Sequence, residues 1–151
     1  MTQAYKENFL IKNLDDLKIF AQKNLLELKN SDLNSDLVFL FYAPMGAGKT
    51  TLIREFGQAL EIKENITSPT FVGMNEYHCD GFNFYHFDLY QVGIKFEDLA
   101  EIFNSSSRNL LVIEWAEKLE PAHYDYLNRN CKLIKIKISV NPDESRTIEL
   151  D

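Results

Sequence analysis

The sequence predicts an α/β fold, a three-layer sandwich whose parallel central sheet is extended by antiparallel strands and a hairpin. Three observations lead there. The apolar run of residues 38–42 enters a glycine loop, Ala43-Pro44-Met45-Gly46-Ala47-Gly48-Lys49-Thr50, and a helical pattern over residues 51–60 follows it. A second apolar run, Leu110-Leu111-Val112-Ile113, ends in the acid Glu114. Strands and helices alternate around these two runs, which implies a parallel core.

With 151 residues, 45% hydrophobic and 13% aromatic, the chain holds enough apolar material for one core, so residues 1–151 are expected to form a single domain. The formal charge of −7 leaves no basic footprint for gripping nucleic acid unaided, so any such role should run through a partner. Cys79 and Cys131 lie far apart without a second ligand pair at metal spacing, and read as reduced thiols. His78, Cys79 and His86 are better explained by a hairpin than by a metal site. Residues 1–7 lack a secretory apolar core, and no run of about 18 apolar residues exists for a membrane span. A cytoplasmic protein with no membrane contact is the expectation.

The elements follow in order. Asn13 is placed to cap a helix over residues 14–28, where Leu14, Leu17, Ala21, Leu25 and Leu28 recur at helical spacing. Residues 30–36 are polar and turn-like, and the strand 38–42 then delivers the glycine loop. In the helix after it, Leu52, Ile53, Phe56 and Leu60 share one side. Ile66-Thr67-Ser68-Pro69-Thr70-Phe71 is a loop in which hydroxyls flank a proline. Asp80-Gly81 joins two aromatic, alternating runs, residues 72–79 and 82–88, as a hairpin whose second strand ends near Asp88. Phe96, Leu99 and Phe103 mark a helix, residues 104–107 a loop, and residues 110–115 a buried strand. Two strands close the chain over residues 132–140 and 145–150, joined by Asn141-Pro142-Asp143-Glu144. Ile134, Ile136 and Ile138 alternate with Lys135 and Lys137, so one face of the first is buried. No internal repeat or low-complexity linker appears.

The glycine loop carries the chemistry. Its glycines let successive backbone N–H groups converge on phosphate oxygens, and the following helix adds the positive end of its dipole. Lys49 would reach the β and γ phosphates, and the Thr50 hydroxyl a magnesium ion. Gly-x-Gly-Lys-Ser/Thr arises by chance in on the order of one chain in a few hundred of this size. The preceding strand and following helix make coincidence rarer and the expected fold P-loop NTPase-like. Ala43 stands where the strict pattern has glycine. Pro44 pushes it toward extended geometry, so no left-handed residue is needed there. Pro44, Met45, Gly46, Ala47, Gly48, Lys49, Thr50 and Thr51 are therefore the candidate nucleotide-binding residues. Thr70 is the candidate sensor of the γ phosphate in a loop that orders with ATP. Asp88 and Glu114, at strand ends, are candidates for organising metal and water. A buried Glu114 should meet a cation. Trp115 is read as core first and contact second.

In order along the chain, Gly-Ala-Gly-Lys-Thr-Thr, Ser-Pro-Thr-Phe, His-x-Asp-x-Tyr and Glu-Trp-x-Glu resemble the TsaE (YjeE) family over nearly the whole chain, from the Asn13 helix to Ile148. That family comprises small bacterial P-loop ATPases needed to make threonylcarbamoyladenosine on transfer RNA. The resemblance implies that Gly46 to Thr51 bind the ATP phosphates, that Thr50 and Glu114 hold Mg2+, and that Asp88 supports metal or water. It further implies that Thr70 belongs to a switch segment, that Lys49, Asp88, Glu114 and Thr70 serve hydrolysis, and that Arg146 lies near the nucleotide. The implied partners are TsaD, which transfers the threonylcarbamoyl group, and TsaB, which pairs with it, with transfer RNA met only through their complex; TsaC makes the activated intermediate. Ala43, Gln91 and Ala116 depart from the family's usual Gly, Arg and Pro, and Gln91 removes a permanent charge. Two other functions are weighed against an ATPase, weak alone and dependent on its partners. One is a nucleotide-dependent binding switch with little turnover. The other is a small-molecule kinase, which would want an arginine-bearing lid that Arg54, Arg108, Arg129 and Arg146 do not pattern. A guanine-specific switch is disfavoured because no Asn-Lys-x-Asp segment occurs.

Overall fold

A computed structural model describes residues 6–30, 36–79, 81–105 and 108–151, the side chains of 25–30 excepted. The expectations for residues 1–5, the turn at 31–35, Asp80 at the hairpin tip, Ser106-Ser107, and the core packing of Leu25 and Leu28 lie outside the described residues.

The sheet is built around β2 (Leu37–Tyr42), whose side chains alternate between two buried faces. Leu37, Phe39 and Phe41 face α1 (Leu14–Asn30) and α2 (Lys49–Ala59), and pack with Phe20, Ala21, Leu52, Ile53 and Phe56. Val38 and Leu40 face the other layer, where α3 (Phe96–Phe103) and α4 (Pro121–Asn130) contribute Leu99, Ile102 and Leu127. Helices cover both faces, which is why β2 reads as a continuous apolar run rather than an alternating one.

Among the described residues seven strands lie in the order β1-β7-β6-β2-β5-β4-β3, where β1 is Glu7–Ile11, β3 Met74–Cys79, β4 Phe82–Asp88, β5 Arg108–Glu114, β6 Lys132–Val140 and β7 Arg146–Leu150. The four central strands β6, β2, β5 and β4 are parallel. The β3–β4 hairpin extends one side antiparallel, and β7 with β1 extends the other. The expected three-layer α/β fold is therefore the observed one. Its register carries the functional consequence: Phe41 is paired with Glu114, and Glu114 with Asp88. The ends of β2, β5 and β4 thus lie side by side, at the edge where open parallel sheets build their sites.

Local signals also hold. The Asn13 side chain accepts the Asp16 N–H at 2.9 Å, and Asp16 accepts the Lys12 N–H at 2.9 Å, a reciprocal cap on α1. Ile136 and Ile138 are buried while Lys137 is exposed. Several expectations need correction. Leu14, assigned to the apolar face of α1, is 51% exposed and lines the cleft beside Gly48 and Thr51, while among the described side chains of α1 Leu17, Phe20 and Ala21 pack in the core. The helix expected from residue 51 begins at Lys49, since the loop's last glycine is its N-cap. Trp115 lies beyond β5 in a left-handed turn that opens a 3₁₀ segment, Ala116–Lys118. β1 and α4 are additional elements that the sequence pattern did not announce.

Candidate functional site

The loop between β2 and α2 has the backbone a phosphate cradle needs. Gly46 and Gly48 have φ of +79° and +99°, and no heavy atom lies within 4 Å of where a Cβ would stand on either. Side chains other than glycine rarely adopt this backbone, and the space above it is open. Ala43 is absent from the left-handed residues, so its Cβ causes no strain. Gly48 offers no side-chain cap to α2, and the helix has no acid in its first turn. Its first N–H groups and the positive end of its dipole are left for an anion.

The side chains around the cradle come from α2, β4, β5, the 66–73 loop and the turn that follows β5. Lys49 is 7% exposed; its Nζ donates to the Ala43 carbonyl at 3.0 Å and lies 3.6 Å from the centre of the Trp115 ring. Burial pushes the Lys49 pKa down, opposed by the negative charges of Glu114, Glu117 and Asp88. Glu114 is 2% exposed at the end of β5. One of its oxygens accepts from Thr50 Oγ1 at 3.5 Å, and the other from His86 Nε2 at 2.6 Å. Asp88, 3% exposed, accepts from Thr70 Oγ1 at 2.8 Å and Ser68 Oγ at 3.3 Å on one oxygen, and from the Tyr90 N–H at 2.9 Å on the other. The 66–73 loop is thereby tied to the end of β4. Trp115 takes φ +58°, an uncommon conformation for a bulky residue and one that clusters at functional sites. Its ring lies 5.1 Å from Tyr90, and Lys118 Nζ donates to the Tyr90 carbonyl at 2.8 Å.

The contacts form three neighbouring sets, Lys49 with Ala43 and Trp115, Thr50 with Glu114 and His86, and Thr70 and Ser68 with Asp88, and the pairing of Asp88 with Glu114 sets the last two side by side. Gly46, Ala47, Gly48 and Thr51 belong to the cradle and its rear, while Pro44 and Met45 stand exposed at its tip. Arg146 reaches the loop from β7: its Nε donates to the Ala47 carbonyl at 3.4 Å and a terminal nitrogen to the Glu144 carbonyl. It lines a cleft of about 240 Å³ behind the loop together with Ile11, Asn13, Leu17, Gly48 and Thr51. Gln91 is exposed in the turn after β4, and Ala116 is buried in the 3₁₀ turn. Neither Cys79 nor Cys131 is in a disulfide. Two participants were not assigned to the site from the sequence, His86, which was read as a hairpin position, and Ser68. The signal for His86 was its place two residues before Asp88 on one strand, which puts both on one face.

The donor set suits magnesium. Hydroxyl and carboxylate are hard oxygens, and ligands at about 2.1 Å in adjacent octahedral positions lie roughly 3 Å apart, close to the Thr50–Glu114 separation. Among the described residues no group of three His, Cys, Asp or Glu side chains could hold a metal by itself.

The family profile described as "Threonylcarbamoyl adenosine biosynthesis protein TsaE" matches residues 11–148. The tRNA threonylcarbamoyladenosine biosynthesis protein TsaE of Aquifex aeolicus is 30% identical over 140 residues, covering 89% of this chain and 97% of that protein. Its counterpart in Haemophilus influenzae is 35% identical over 106 residues, which span 68% of this chain but only 58% of that protein. In Nostoc sp. the corresponding protein is 36% identical over 111 residues, 70% of this chain and 68% of that protein. Among solved structures, Bacillus subtilis YdiB superposes with a TM-score of 0.66 at 23% identity, over 99% of this chain and 87% of that one, a likeness of fold. No described helix is long and apolar enough to cross a membrane.

Proposed function

The chain belongs to the TsaE family, and from that premise we propose that it is a magnesium-dependent ATPase serving threonylcarbamoyladenosine modification of transfer RNA, acting on a complex of TsaD and TsaB. The observation that carries the proposal is the convergence of Lys49, Thr50 and Glu114 on an open, uncapped glycine cradle.

The backbone N–H groups of the loop and first turn of α2 receive the phosphates. Lys49, itself buried, leaves the Ala43 carbonyl and sets its ammonium against charge developing on the γ phosphate. Thr50 and Glu114 hold Mg2+, which when bound supplies charge neutralisation at the phosphate oxygens. Asp88 has both oxygens engaged by protein donors, so it acts through the Thr70 loop and would support metal or water from there. Thr70 reports the γ phosphate to the 66–73 loop, whose Phe71 and Val72 are exposed. Arg146 and the cleft behind the loop seat the nucleoside. The net charge of −7 favours a protein partner over bare RNA, and residues 1–151 are read as one cytoplasmic ATPase domain.

Phosphate release by the purified protein with Mg2+ and ATP, alone and with TsaD and TsaB, tests the reading. Slow turnover that rises with the partners and disappears in Lys49→Ala supports it. No hydrolysis with partners present, together with intact modification by Lys49→Ala, refutes it. The Thr70–Asp88 bond favours a second reading, a binding switch that uses ATP only to order the loop. Complex formation and modification unharmed by Glu114→Ala would favour that switch. A kinase is less favoured: Arg54 and Arg129 spend their Nε atoms on the backbone carbonyls of Ile66 and Asp125.

A further inference from the structure

We propose that His86 is the positioning residue for Glu114, fixing the carboxylate orientation that presents its second oxygen to Thr50; the inference rests on the metal-dependent nucleotide site proposed above. His86 is fully buried on β4, with Nε2 2.6 Å from Glu114 Oε2, while Glu114 Oε1 faces Thr50 Oγ1 at 3.5 Å. The register explains the reach. Asp88 is paired with Glu114 and His86 with Val112, so His86 stands one step back on the same face and approaches the carboxylate from beneath.

An ionised carboxylate only accepts, so Nε2 carries the proton and donates. Nδ1 then has no hydrogen-bond partner among the described residues, in a fully buried position. Packing alone does not account for that arrangement, because an apolar side chain of similar volume would fill the space without orphaning a nitrogen. What the imidazole supplies is a short, charge-assisted bond to one oxygen of a side chain that otherwise has three torsions to settle. Holding one oxygen fixes the other. Partners of this kind behind a metal ligand typically govern metal affinity by about 10–100-fold.

The test uses the full chain, a non-hydrolysable ATP analogue and Mn2+ as the probe ion, with free Mn2+ read by electron paramagnetic resonance. Nucleotide binding without metal is read separately in EDTA with a fluorescent ATP analogue. His86→Gln keeps an amide donor near the Nε2 position, whereas His86→Leu has none and His86→Asn places its amide short of it. We expect His86→Leu and His86→Asn to weaken Mn2+ in the ternary complex by about 10–100-fold. His86→Gln should recover most of that loss, with metal-free nucleotide binding unchanged in all three. In a Glu114→Gln background, His86→Asn should cause little further loss, since the effect travels through the carboxylate. If His86→Leu does not fold, His86→Asn carries the comparison with His86→Gln. Wild-type Mn2+ affinity in His86→Asn, beside normal metal-linked nucleotide binding by the unmodified chain, overturns the role of His86 alone. Failure of the unmodified chain to bind nucleotide or Mn2+ instead overturns the site reading, and this inference with it.

Discussion

Replacing Gly48 by alanine adds one methyl group to the backbone of the cradle, and replacing Gly81 adds the same group at the tip of the β3–β4 hairpin. The two positions share a left-handed backbone and open space where the Cβ would stand. Gly48 has φ +99° and Gly81 φ +84°, and neither has a heavy atom within 4 Å of the Cβ position. Both substitutions therefore strain the backbone by about 1–2 kcal/mol without a steric clash. For a chain of this length that lowers the thermal midpoint by roughly 2–8 °C. Only at Gly48 does the methyl enter the open space over the α2 N-terminus, where phosphate oxygens must come within about 3 Å of backbone N–H groups. Each charge-assisted bond lost there costs about 1.5–3 kcal/mol, and so about tenfold or more in affinity. Thermal denaturation and calorimetric titration with ATP, run on both variants, separate strain from contact. The expected result is a similar fall in midpoint for both, with ATP affinity lost only in Gly48→Ala. ATP binding by Gly48→Ala at wild-type affinity, or equal weakening by Gly81→Ala, would refute the cradle.

Asp88→Asn removes the negative charge that accepts from Thr70, Ser68 and the Tyr90 N–H; hydrogen bonds to charged groups contribute about 1.5–3 kcal/mol each. Amides of the 66–73 loop should then exchange faster in hydrogen–deuterium exchange, while those of β2 and β5 keep their relative protection. Trp115 is the single tryptophan, with the Lys49 ammonium 3.6 Å above its ring. ATP should draw that ammonium away, breaking a contact of about 0.5–2 kcal/mol. Trp115 emission should shift saturably with ATP in the wild type and stay constant in Lys49→Met; emission indifferent to saturating ATP would show that Lys49 does not move. Burial pushes the Cys131 thiol from its ordinary 9.0 up to about 12. Alkylation of the native protein at about pH 8 should spare Cys131 relative to the denatured chain. Because the folded value is the raised one, this group's contribution to stability is complete below the unfolded value and is lost as pH rises from 9.0 toward about 12. Denaturant unfolding should show the decline, and Cys131→Ala should reduce it.

The readings that succeeded rest on interactions between near neighbours in the chain. The Asn13 cap is a bond between residues three apart. The glycine backbone of the loop and the buried alternation in β2 likewise need only a few consecutive residues. The Asp80-Gly81 signal marked a turn whose flanking strands pair as β3 and β4. α4 escaped notice because only His123 and Leu127 of its ten residues are buried, too few for a visible stripe. β1 escaped for a different reason. Its five residues gain their hydrogen bonds from β7, at the far end of the chain.

For this protein the sequence alone determined the glycine loop between strand and helix, the parallel α/β core and the family resemblance, since each is written in local spacing and motif order. Tertiary structure decided which side chains meet. The parallel register of β4 against β5 sets His86 against Glu114, 28 residues away, and the left-handed turn at Trp115 lays its ring beside Lys49. Periodicity tells which face of an element is apolar. Only the pairing of distant strands determines which polar groups on that face come within a hydrogen bond of one another.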